Sequence, residues 1–227
     1  MTAPRNPKRI VALASGLALA AYLPTALAAA SAANIATHGA GSAVPACMSC
    51  HGAAGEGNAA AGFPRLAGLP AAYIAAQLRA FAQGTRSNSL MSPIAKAMSD
   101  AQIIAVANYY AKLPKPVQTY GPMPAAAALG ERLAERGDWS TGIPSCFRCH
   151  GPGGMGVSPD FPPIVGQPAS YIESQIKAWK DGSRHNDPMG LMHTVALRMS
   201  DAATQSVAAW LAAEKPGEAA RSDKATH

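Results

Sequence analysis

Two short motifs, each with two cysteines and a histidine, contain the residues whose types and spacing predict chemistry most clearly. The motifs are Cys47-Met-Ser-Cys50-His51 and Cys146-Phe-Arg-Cys149-His150, and they use all four cysteines of the chain. Two thiols three positions apart can each form a thioether with one vinyl group of the same haem, and the adjacent histidine can offer a ring nitrogen to the iron. The sequence therefore predicts two covalently bound haem c groups, with the histidine of each motif as an iron ligand.

Two other interpretations of the cysteines stay open at this point. A disulfide within each Cys-x-x-Cys pair is favoured by an oxidising compartment, although it gives the following histidines no role. A zinc site is the second interpretation, but Cys50 and Cys146 lie 96 positions apart. The two Cys-x-x-Cys pairs of one such site are separated by about 15–20 residues.

The cysteine motifs belong to a longer unit that occurs twice. Five ordered blocks recur at an offset of 98 to 101 residues, which predicts two homologous domains. Three additional residues in the second unit, 187–189, account for the change of offset. The paired blocks are 47–52 with 146–151, 63–68 with 161–166, 70–77 with 168–175, 84–88 with 182–186, and 90–100 with 191–201.

A proline-rich segment separates the two units. Four prolines lie among the twelve residues from Leu113 to Pro124, a density that neither a helix nor a central strand accepts. We therefore predict an N-terminal domain over 29–113, a semi-rigid linker over 114–124 and a C-terminal domain over 125–227.

The elements that must position the motifs are predicted to be helices. Apolar residues follow a helical period over 70–84 and 168–182, with a proline expected at the first helical position and a glycine just beyond the far end. Ser99 and Ser200 each open a further helix, the first through a capping box, and another helix is expected over 125–136. No segment alternates convincingly as a strand does, so both domains are predicted to be all-α.

The first 28 residues have the pattern of an export signal. Basic residues at positions 5, 8 and 9 precede an apolar run over 10–23 and an Ala-Leu-Ala site that ends at Ala28. This pattern predicts a secretory signal peptide over 1–28, cleaved near Ala28, and an uncleaved membrane anchor is the alternative. The working protein is then expected in the periplasm.

The charge of the chain excludes one class of partner. The sequence has 19 Lys and Arg against 13 Asp and Glu, and the leader holds three of the basic residues and no acidic residue. The rest of the chain is therefore only weakly basic, and its charges are scattered rather than arranged in a run that follows phosphates. Nucleic acid is not expected as a partner.

A second iron ligand should occupy equivalent positions in the two units. Two methionine pairs do so, Met91 with Met192 and Met98 with Met199. The second pair directly precedes the capping serines, where an apolar residue commonly packs as a hydrophobic staple. The first pair is expected in loops that are free to approach the iron. Met91 and Met192 are therefore the predicted ligands, and Met189 competes for the second site.

Other residues are less clearly assigned by the repeat. Four histidines lack an aligned partner and are expected on the surface or in loops, with His193 of interest because it adjoins Met192. They are His38, His185, His193 and His227. For four arginines three interpretations stay open, namely pairing with haem propionates, a docking face, or simple solvation by water. They are Arg65, Arg79, Arg86 and Arg184.

The repeated blocks together resemble one known family. The doubled Cys-x-x-Cys-His motif, the Phe-Pro-x-Leu/Ile-x-Gly and Gly-x-Arg-x-Asn blocks and the Met-x7-Ser-Asp spacing are similar to those of the dihaem cytochrome c4 family, over about 45–213. The resemblance implies two tandem class I cytochrome c domains. It pairs His51 with Met91 on one iron and His150 with Met192 on the other.

The resemblance also implies what two prolines and the whole protein do. The carbonyl groups of Pro64 and Pro162 would accept a hydrogen bond from the iron-binding histidines and fix their rings. With a histidine and a methionine on each iron, no coordination position stays open, so one-electron transfer remains. The expected function is a periplasmic electron carrier, not an enzyme, between a quinol-cytochrome c reductase-type complex and a terminal oxidase. Peripheral association with the membrane stays open.

Two alternative functions belong to other classes. One is a dihaem electron-accepting subunit of a periplasmic dehydrogenase, such as a flavocytochrome that acts on sulfide. The other is a dihaem peroxidase, which needs one iron with an open or displaceable ligand. The paired Met91 and Met192 and the length of the chain argue against the peroxidase.

Overall fold

The computed structural model describes residues 32–116 and 127–213 of the chain. The expected signal peptide, most of the expected linker and His227 lie outside these ranges. The helices of the first unit are α1 (32–38), α2 (Met48–His51), α3 (Ala71–Gln83), α4 (Met91–Ala97) and α5 (Asp100–Lys112). Those of the second are α6 (Ala127–Glu135), α7 (Cys146–His150), α8 (Ala169–Lys180), α9 (Leu191–Arg198) and α10 (Asp201–Ala213), with 3₁₀ turns at Pro152–Gly154 and Pro188–Gly190.

The all-α prediction is confirmed. Within the described ranges, β-type pairing is limited to four isolated bridges, and none of them extends into a strand. No helix in these ranges is both long and apolar enough to cross a bilayer.

Each unit has its own apolar core, built by equivalent helices. In the first unit α3 packs against α4 and α5, and the core includes Ile74, Phe81 and Val106. In the second unit α8 packs against α9 and α10, and α6 crosses α10. The crossing is close because Gly130 has no side chain: a Cβ atom there would overlap the carbonyl oxygen of Ser206. The backbone N–H of Gly130 also donates to the Ser206 hydroxyl, at 2.8 Å.

The helix ends follow the local signals closely. Ser99 accepts a hydrogen bond from the backbone of Gln102, and the Gln102 side chain accepts one from the backbone of Ser99, so the predicted capping box is confirmed. One detail of the prediction was wrong by a residue. Pro70 and Pro168 have extended backbone dihedral angles and are the residues before α3 and α8, not their first helical residues.

The two units meet face to face around an approximate two-fold relation. The backbone N–H of Ser87 donates to the carbonyl of Ser183 at 2.7 Å, and that of His185 donates to the carbonyl of Thr85 at 2.8 Å. Between these bonds the backbones of Arg86 and Arg184 form an antiparallel bridge. The loops after α3 and α8, which are equivalent in the repeat, therefore contact each other.

Candidate haem sites and the interface between them

The two motif histidines are held in the same way in both domains. His51 ends α2 and His150 ends α7, and both side chains are buried. The Nδ1 atom of His51 lies 2.9 Å from the carbonyl oxygen of Pro64, and that of His150 lies 2.8 Å from the carbonyl oxygen of Pro162. A carbonyl only accepts, so Nδ1 carries the proton in each ring. The Nε2 atom is then left with a lone pair for a metal.

Burial keeps both imidazoles neutral. It lowers the pKa of His51 and of His150, against the opposing effect of the carbonyl hydrogen bonds. The charge of Arg184 lowers the pKa of His150 further. A neutral ring is the form that binds iron.

The four motif cysteines flank these histidines, and none of them forms a disulfide. Burial raises the pKa of Cys47 above its ordinary value, and it raises the pKa of Cys146 to about 11. When they are not bonded to haem, these two thiols are therefore protonated near neutral pH. Among the described residues, no cluster of three or more His, Cys, Asp or Glu has the arrangement of a metal site.

A cavity of about 720 Å³ adjoins the first motif. Its lining includes Cys47, Cys50, His51 and two of the methionines, Met91 and Met98. Residues of the second domain, among them Tyr171 and Arg184, complete the wall. The volume lies within the range of about 300–1,000 Å³ that is typical of small-molecule and cofactor sites.

The methionines predicted as ligands lie in short helices, which corrects the expectation of loops. Met91 is the first residue of α4 and Met192 is the second residue of α9. Both are half-buried and pack against the core of their own domain. Met98 also lines the cavity, while Met199 is buried in the core.

The competing residue of the second domain points away from the core. Met189 is 88% exposed and has a positive φ of 58° in the 3₁₀ turn. This arrangement favours Met192, whose side chain contacts the core, as the methionine available on the inside of the domain.

The three additional residues of the second unit change how its methionine helix begins. In the first domain the side chain of Asn88 accepts hydrogen bonds from the backbone of Leu90 and Met91 and so caps α4. In the second domain the inserted Asp187 caps α9 instead, by accepting from the backbone of His193 at 3.0 Å. Asn186, the counterpart of Asn88, is thereby released from this role.

The expectation for the unpaired histidines is only partly right. His38 and His185 are exposed. His193 is half-buried within α9, and its Nδ1 atom donates to the carbonyl oxygen of Trp179 at 2.7 Å. It therefore links α9 to α8 and is neither a surface residue nor a loop residue.

The interpretation that water solvates the four arginines is wrong for three of them. Arg65, Arg86 and Arg184 are only 3%, 6% and 4% exposed, because the contact between the domains covers them. Arg79 alone is well exposed, and it forms an ion pair with Asp100 at 2.7 Å.

Arg86 and Arg184 are the centre of a reciprocal network across the interface. Arg86 donates to the Tyr171 hydroxyl at 2.9 Å and to Gln175 of the second domain at 2.6 Å. Arg184 donates to the Tyr73 hydroxyl at 3.4 Å and to Gln77 of the first domain at 3.0 Å. Each arginine also donates to the glutamine of its own domain, and Asn186 adds a bond to Gln77.

The two guanidinium groups stack on aromatic rings of their own domains. Arg86 lies 4.4 Å from the centre of the Phe81 ring, and Arg184 lies 3.9 Å from that of Trp179. Burial and the charge of Arg86 lower the pKa of Arg184. Burial raises the pKa of Tyr171, but the charges of Arg86 and Arg184 outweigh this effect and lower it overall.

This charge pattern fits a ligand that brings carboxylates. Within the part of the chain that the structure describes, neither Arg86 nor Arg184 forms an ion pair with an Asp or Glu. Two buried positive charges without a counter-charge are costly. Both side chains line the cavity beside the first motif, where the propionates of a haem would supply the missing negative charge.

The sequence analysis missed the polar partners in this network. Tyr73, Gln77, Tyr171 and Gln175 recur in one aligned block, and only their helical period was used. The same tyrosine and glutamine occur at equivalent positions of both units, on helix faces that are otherwise apolar. This repetition was the signal that could have indicated a contact between the two domains. Gln167 was also missed, and it has no such signal because Leu69 occupies its place in the first unit.

Comparison with known proteins identifies the family of the chain. The family model described as "Cytochrome c" matches residues 36–114, and the one described as "Cytochrome C oxidase, cbb3-type, subunit III" matches residues 125–211. A cytochrome c4 from Thiocapsa roseopersicina is 38% identical over 168 residues, which are 73% of this chain and 85% of the relative. The chain belongs to the dihaem cytochrome c4-like family.

Membership settles the class of fold and the cofactor. This cytochrome c4-like protein consists of two tandem class I cytochrome c domains. It is an electron-transfer protein that carries two covalently bound haem c groups. Which residues bind each iron, and where each domain begins and ends, remain predictions.

Two further similarities concern thiosulfate oxidation. A protein named thiosulfate dehydrogenase electron acceptor from Thiomonas intermedia (strain K12) is 63% identical over 183 residues, 80% of this chain and 83% of the relative. The structure of the thiosulfate dehydrogenase TsdBA from Marichromatium purpuratum superposes with a TM-score of 0.76 at 42% identity. That match covers 81% of this chain and 40% of the TsdBA chain, so the cytochrome spans less than half of its length.

Proposed function

We propose that this cytochrome c4-like protein accepts electrons from a dehydrogenase that oxidises thiosulfate and passes them on towards a terminal oxidase. The observation that carries the proposal is the 63% identity with a protein named as the electron acceptor of thiosulfate dehydrogenase. The TsdBA chain supports it, because a region similar to this cytochrome shares one polypeptide with further sequence in a thiosulfate dehydrogenase. The donor expected from sequence, a quinol-oxidising complex, is less well supported than the alternative of a dehydrogenase partner.

We propose that the two cysteine motifs and one methionine of each domain bind the haems. We propose thioether bonds at Cys47, Cys50, Cys146 and Cys149. His51 and His150 would offer Nε2 to the iron, since their Nδ1 atoms donate to the Pro64 and Pro162 carbonyls. Met91 and Met192 would be the sixth ligands. Each domain contributes one such set.

The chemistry of this ligand set suits electron transfer and little else. A haem with a histidine and a methionine supplies a one-electron couple in which the soft thioether favours ferrous iron. The prolines hold the histidine rings, the apolar cores exclude water, and Arg86 and Arg184 would neutralise propionates at the interface. With both axial positions of each iron filled by side chains, no position would remain for a substrate or peroxide. The protein would therefore take up two electrons, one in each domain.

The proposed location is the periplasm. The pattern over 1–28 predicts export, and covalent attachment of haem c in bacteria takes place outside the cytoplasm. The proposed partners include a terminal oxidase. Peripheral association of the protein with the membrane is a further part of the proposal.

The test is direct reduction of the purified dihaem protein by a purified thiosulfate dehydrogenase. Thiosulfate and a catalytic amount of that enzyme are added anaerobically, and reduction is followed by the haem absorbance. We expect two electrons per chain to be taken up. In parallel reactions, a sulfide-oxidising flavocytochrome with sulfide and a quinol-cytochrome c reductase with quinol, each at the same enzyme concentration, serve as competing donors. Faster reduction by either would contradict the proposed donor.

Carbon monoxide tests the peroxidase alternative in the same preparation. The reduced protein is expected to bind no carbon monoxide, because methionine fills the sixth position of each iron. Uptake by one haem would place an open site in the protein and would favour an enzyme.

A further inference from the structure

An exposed tryptophan in the second domain has no counterpart in the first. Trp139 is 77% exposed, although an indole ring is mostly buried in folded proteins. It lies in the turn 138–142, between α6 and the motif helix α7. The same connection in the first domain is the shorter turn 40–43, which contains only alanine, glycine and serine. The turns are equivalent, because a Cβ atom at Gly39 or Gly137, just before each turn, would overlap the carbonyl of the residue just after it.

Hydrogen bonds within the longer turn hold its backbone in place. Asp138 and Ile143 exchange two backbone hydrogen bonds, at 2.7 and 2.9 Å. The Asp138 carboxylate accepts from the backbone N–H and the hydroxyl of Ser140, and the Thr141 hydroxyl donates to the Asp138 carbonyl at 3.1 Å. Trp139 therefore stands on an ordered support, so little conformational freedom is lost when another surface covers its ring. Exposed tryptophan on such a support is typical of a binding hot spot.

Two exposed arginines approach this turn from the end of α6. Hydrogen bonds within the turn lower the pKa of Asp138, and the charge of Arg132 lowers it further, so Arg132 lies beside the turn. Arg136 follows about one helical turn later and lies on the same side of the helix. The glutamates of α6, Glu131 and Glu135, each precede one of these arginines and so lie about 100° away around the helix axis. The side of α6 next to the turn is therefore positively charged.

A third exposed arginine reaches the turn from α9, more than fifty residues later in the chain. A Cβ atom at Gly142 would lie 3.0 Å from the Nε atom of Arg198, so this side chain lies against the far end of the turn. Charges that are scattered in the sequence are thus gathered in space around one aromatic ring. The four residues are called the Trp139 face here: Arg132, Arg136, Trp139 and Arg198.

The first domain lacks this combination at the equivalent positions. None of the counterparts of the three arginines is a lysine or an arginine, and all three tryptophans of the chain belong to the second domain. The counterparts are Asn34, His38 and Ala97. Lys96 and Lys112 are exposed in the first domain, but no tryptophan accompanies them. The repeat therefore supplies an internal reference that has the same framework without the face.

The Trp139 face adjoins the second candidate haem site. α6 packs against the motif helix α7, and the Cys146 thiol lies 3.8 Å from the carbonyl oxygen of Leu133 in α6. Cys149, further along α7, is exposed. The helix that ends at Arg198 also contains Met192. A protein bound to this face would therefore lie against the elements that hold the second site.

We propose that the Trp139 face binds an acidic surface of the thiosulfate-oxidising dehydrogenase, so that electrons enter at the second domain. The inference rests on the proposed donor. Arginine pairs with carboxylates in a fixed, forked geometry, and the indole ring supplies a rigid apolar centre. The face therefore fits carboxylates arranged around an apolar patch. In each encounter the reduced dehydrogenase loses one electron, and one ferric iron of this chain becomes ferrous.

The experiment is stopped-flow reduction of the oxidised dihaem protein by a thiosulfate dehydrogenase that thiosulfate has reduced. The haem absorbance is followed over a range of salt concentrations. Trp139→Ala removes the ring, and we expect it to lower the second-order rate constant about tenfold. Arg136→Gln/Arg198→Gln removes two charges, and we expect about a tenfold decrease at low salt together with a weaker dependence on salt.

Matched controls separate docking from effects on the haems. Lys96→Gln/Lys112→Gln removes the same charge from the first domain and is expected to stay within about twofold of the wild-type rate. Ascorbate is a small reductant that needs no docking surface, so it should reduce every variant as fast as the wild type. Haem content and midpoint potentials should also be unchanged, because the substituted side chains are exposed.

The possible failures have different signatures. If the dehydrogenase does not reduce the wild type, the proposed donor is wrong and the inference fails with it. If it reduces the wild type and both face variants equally fast, or if Lys96→Gln/Lys112→Gln slows the reaction more, the donor stands and the docking face is wrong. Slower reduction of Trp139→Ala by ascorbate would contradict a docking role. Binding to phosphatidylglycerol vesicles that only Trp139→Ala loses, with unchanged reduction by the dehydrogenase, would assign the face to a membrane instead.

Discussion

The two domains share one framework but differ at the places where each would control its own haem. Both hold a motif histidine against a proline carbonyl, at 2.9 Å in the first domain and 2.8 Å in the second. They differ in the residue that follows that proline, in the start of the methionine helix, and in the ring under the interface arginine, Phe81 or Trp179. The repeated part contains the residues that we propose to bind the haems, and the differing part gives the two proposed sites different surroundings.

The start of the methionine helix shows how such a difference arises. Asn88 and Asn186 are the same residue type at equivalent positions, yet the first caps α4 and the second bonds to Gln77 in the other domain. The second arrangement depends on Asp187, which belongs to the insertion and caps α9 in its place. A short insertion has therefore moved an existing side chain from a local task to the interface.

The largest expected effect is loss of one haem. Cys47→Ala/Cys50→Ala should leave one haem per chain, and Cys146→Ala/Cys149→Ala should do the same, because each pair would form both thioethers of a single haem. Haem content by the pyridine haemochrome assay and intact mass measures this. The prediction that each domain binds its own haem would be contradicted if either double variant kept two covalent haems or lost both.

Exchange of a single methionine should have the next largest effect. Met192→Ala opens the sixth position of the second haem, so the reduced variant is expected to bind one equivalent of carbon monoxide. Met91→Ala should do the same for the first haem. Met189→Ala is the matched control and should bind none, since its side chain is 88% exposed. Carbon monoxide binding by Met189→Ala and not by Met192→Ala would reverse the assignment.

Removal of an interface arginine should cost stability equally in the two domains. Arg86→Met and Arg184→Met each lose hydrogen bonds from a charged donor, and we expect each to lower the free energy of unfolding by about 2 kcal/mol. The double variant should lose more than the sum of the two single losses, because each single variant already gains from relief of the same repulsion between the two buried cations. Denaturant unfolding of the dihaem protein measures all three. An additive double variant, or a large effect from one side only, would contradict the reciprocal network.

Acid should weaken both domains through their histidines. Burial lowers the folded-state pKa of His51 and His150 even before iron occupies their Nε2 atoms, so their contribution to stability is complete above the unfolded pKa of about 6.5. As the pH falls below this value the unfolded chain binds protons that the folded chain does not, and the contribution is lost as the pH approaches the folded pKa. The denaturant midpoint should therefore fall between pH 7 and pH 5. A midpoint that rises over this interval would contradict the prediction.

The smallest expected effect is the loss of a helix cap at the start of α4 or α9. Asn88→Ala and Asp187→Ala each remove a cap, and we expect a loss of about 1 kcal/mol in the domain concerned. Asn186→Ala removes a contact across the interface and no cap, so it should weaken the association of the domains and not the start of α9. Hydrogen exchange of the α9 amides distinguishes these cases. Faster exchange there in Asn186→Ala would show that the residue still supports the helix.

Local signals predicted much of the fold. Ser99 and Gln102 are close in sequence, and their capping box formed as expected because it needs no distant partner. The repeat also predicted two all-α units, since equal spacing of equal residues constrains both halves together. The prediction that Met91 and Met192 lie in loops was wrong. Each lies at the start of a short helix that a nearby side chain caps, Asn88 in the first domain and Asp187 in the second. Such single side-chain contacts have no strong sequence pattern.

The interface could not be predicted from local patterns. Solvation of Arg86 and Arg184 was a reasonable interpretation of arginines in a Gly- and Asn-containing loop, and the contact between two domains overrides it. Their burial depends on residues about 85 to 110 positions away. Gln167 illustrates the same limit, since it bonds to the backbone of Arg65 102 residues earlier.

The reciprocal contact between the domains has the form of an isologous dimer interface within a single chain. Arg86 binds Tyr171 and Gln175, and Arg184 binds Tyr73 and Gln77, as residues do across the axis of a two-fold homodimer. Joining the halves covalently replaces a bimolecular equilibrium with an intramolecular one, at an effective concentration in the millimolar range for a short linker. The contact is then independent of dilution. The distance between the two redox centres is therefore the same in a crowded compartment and in a dilute solution.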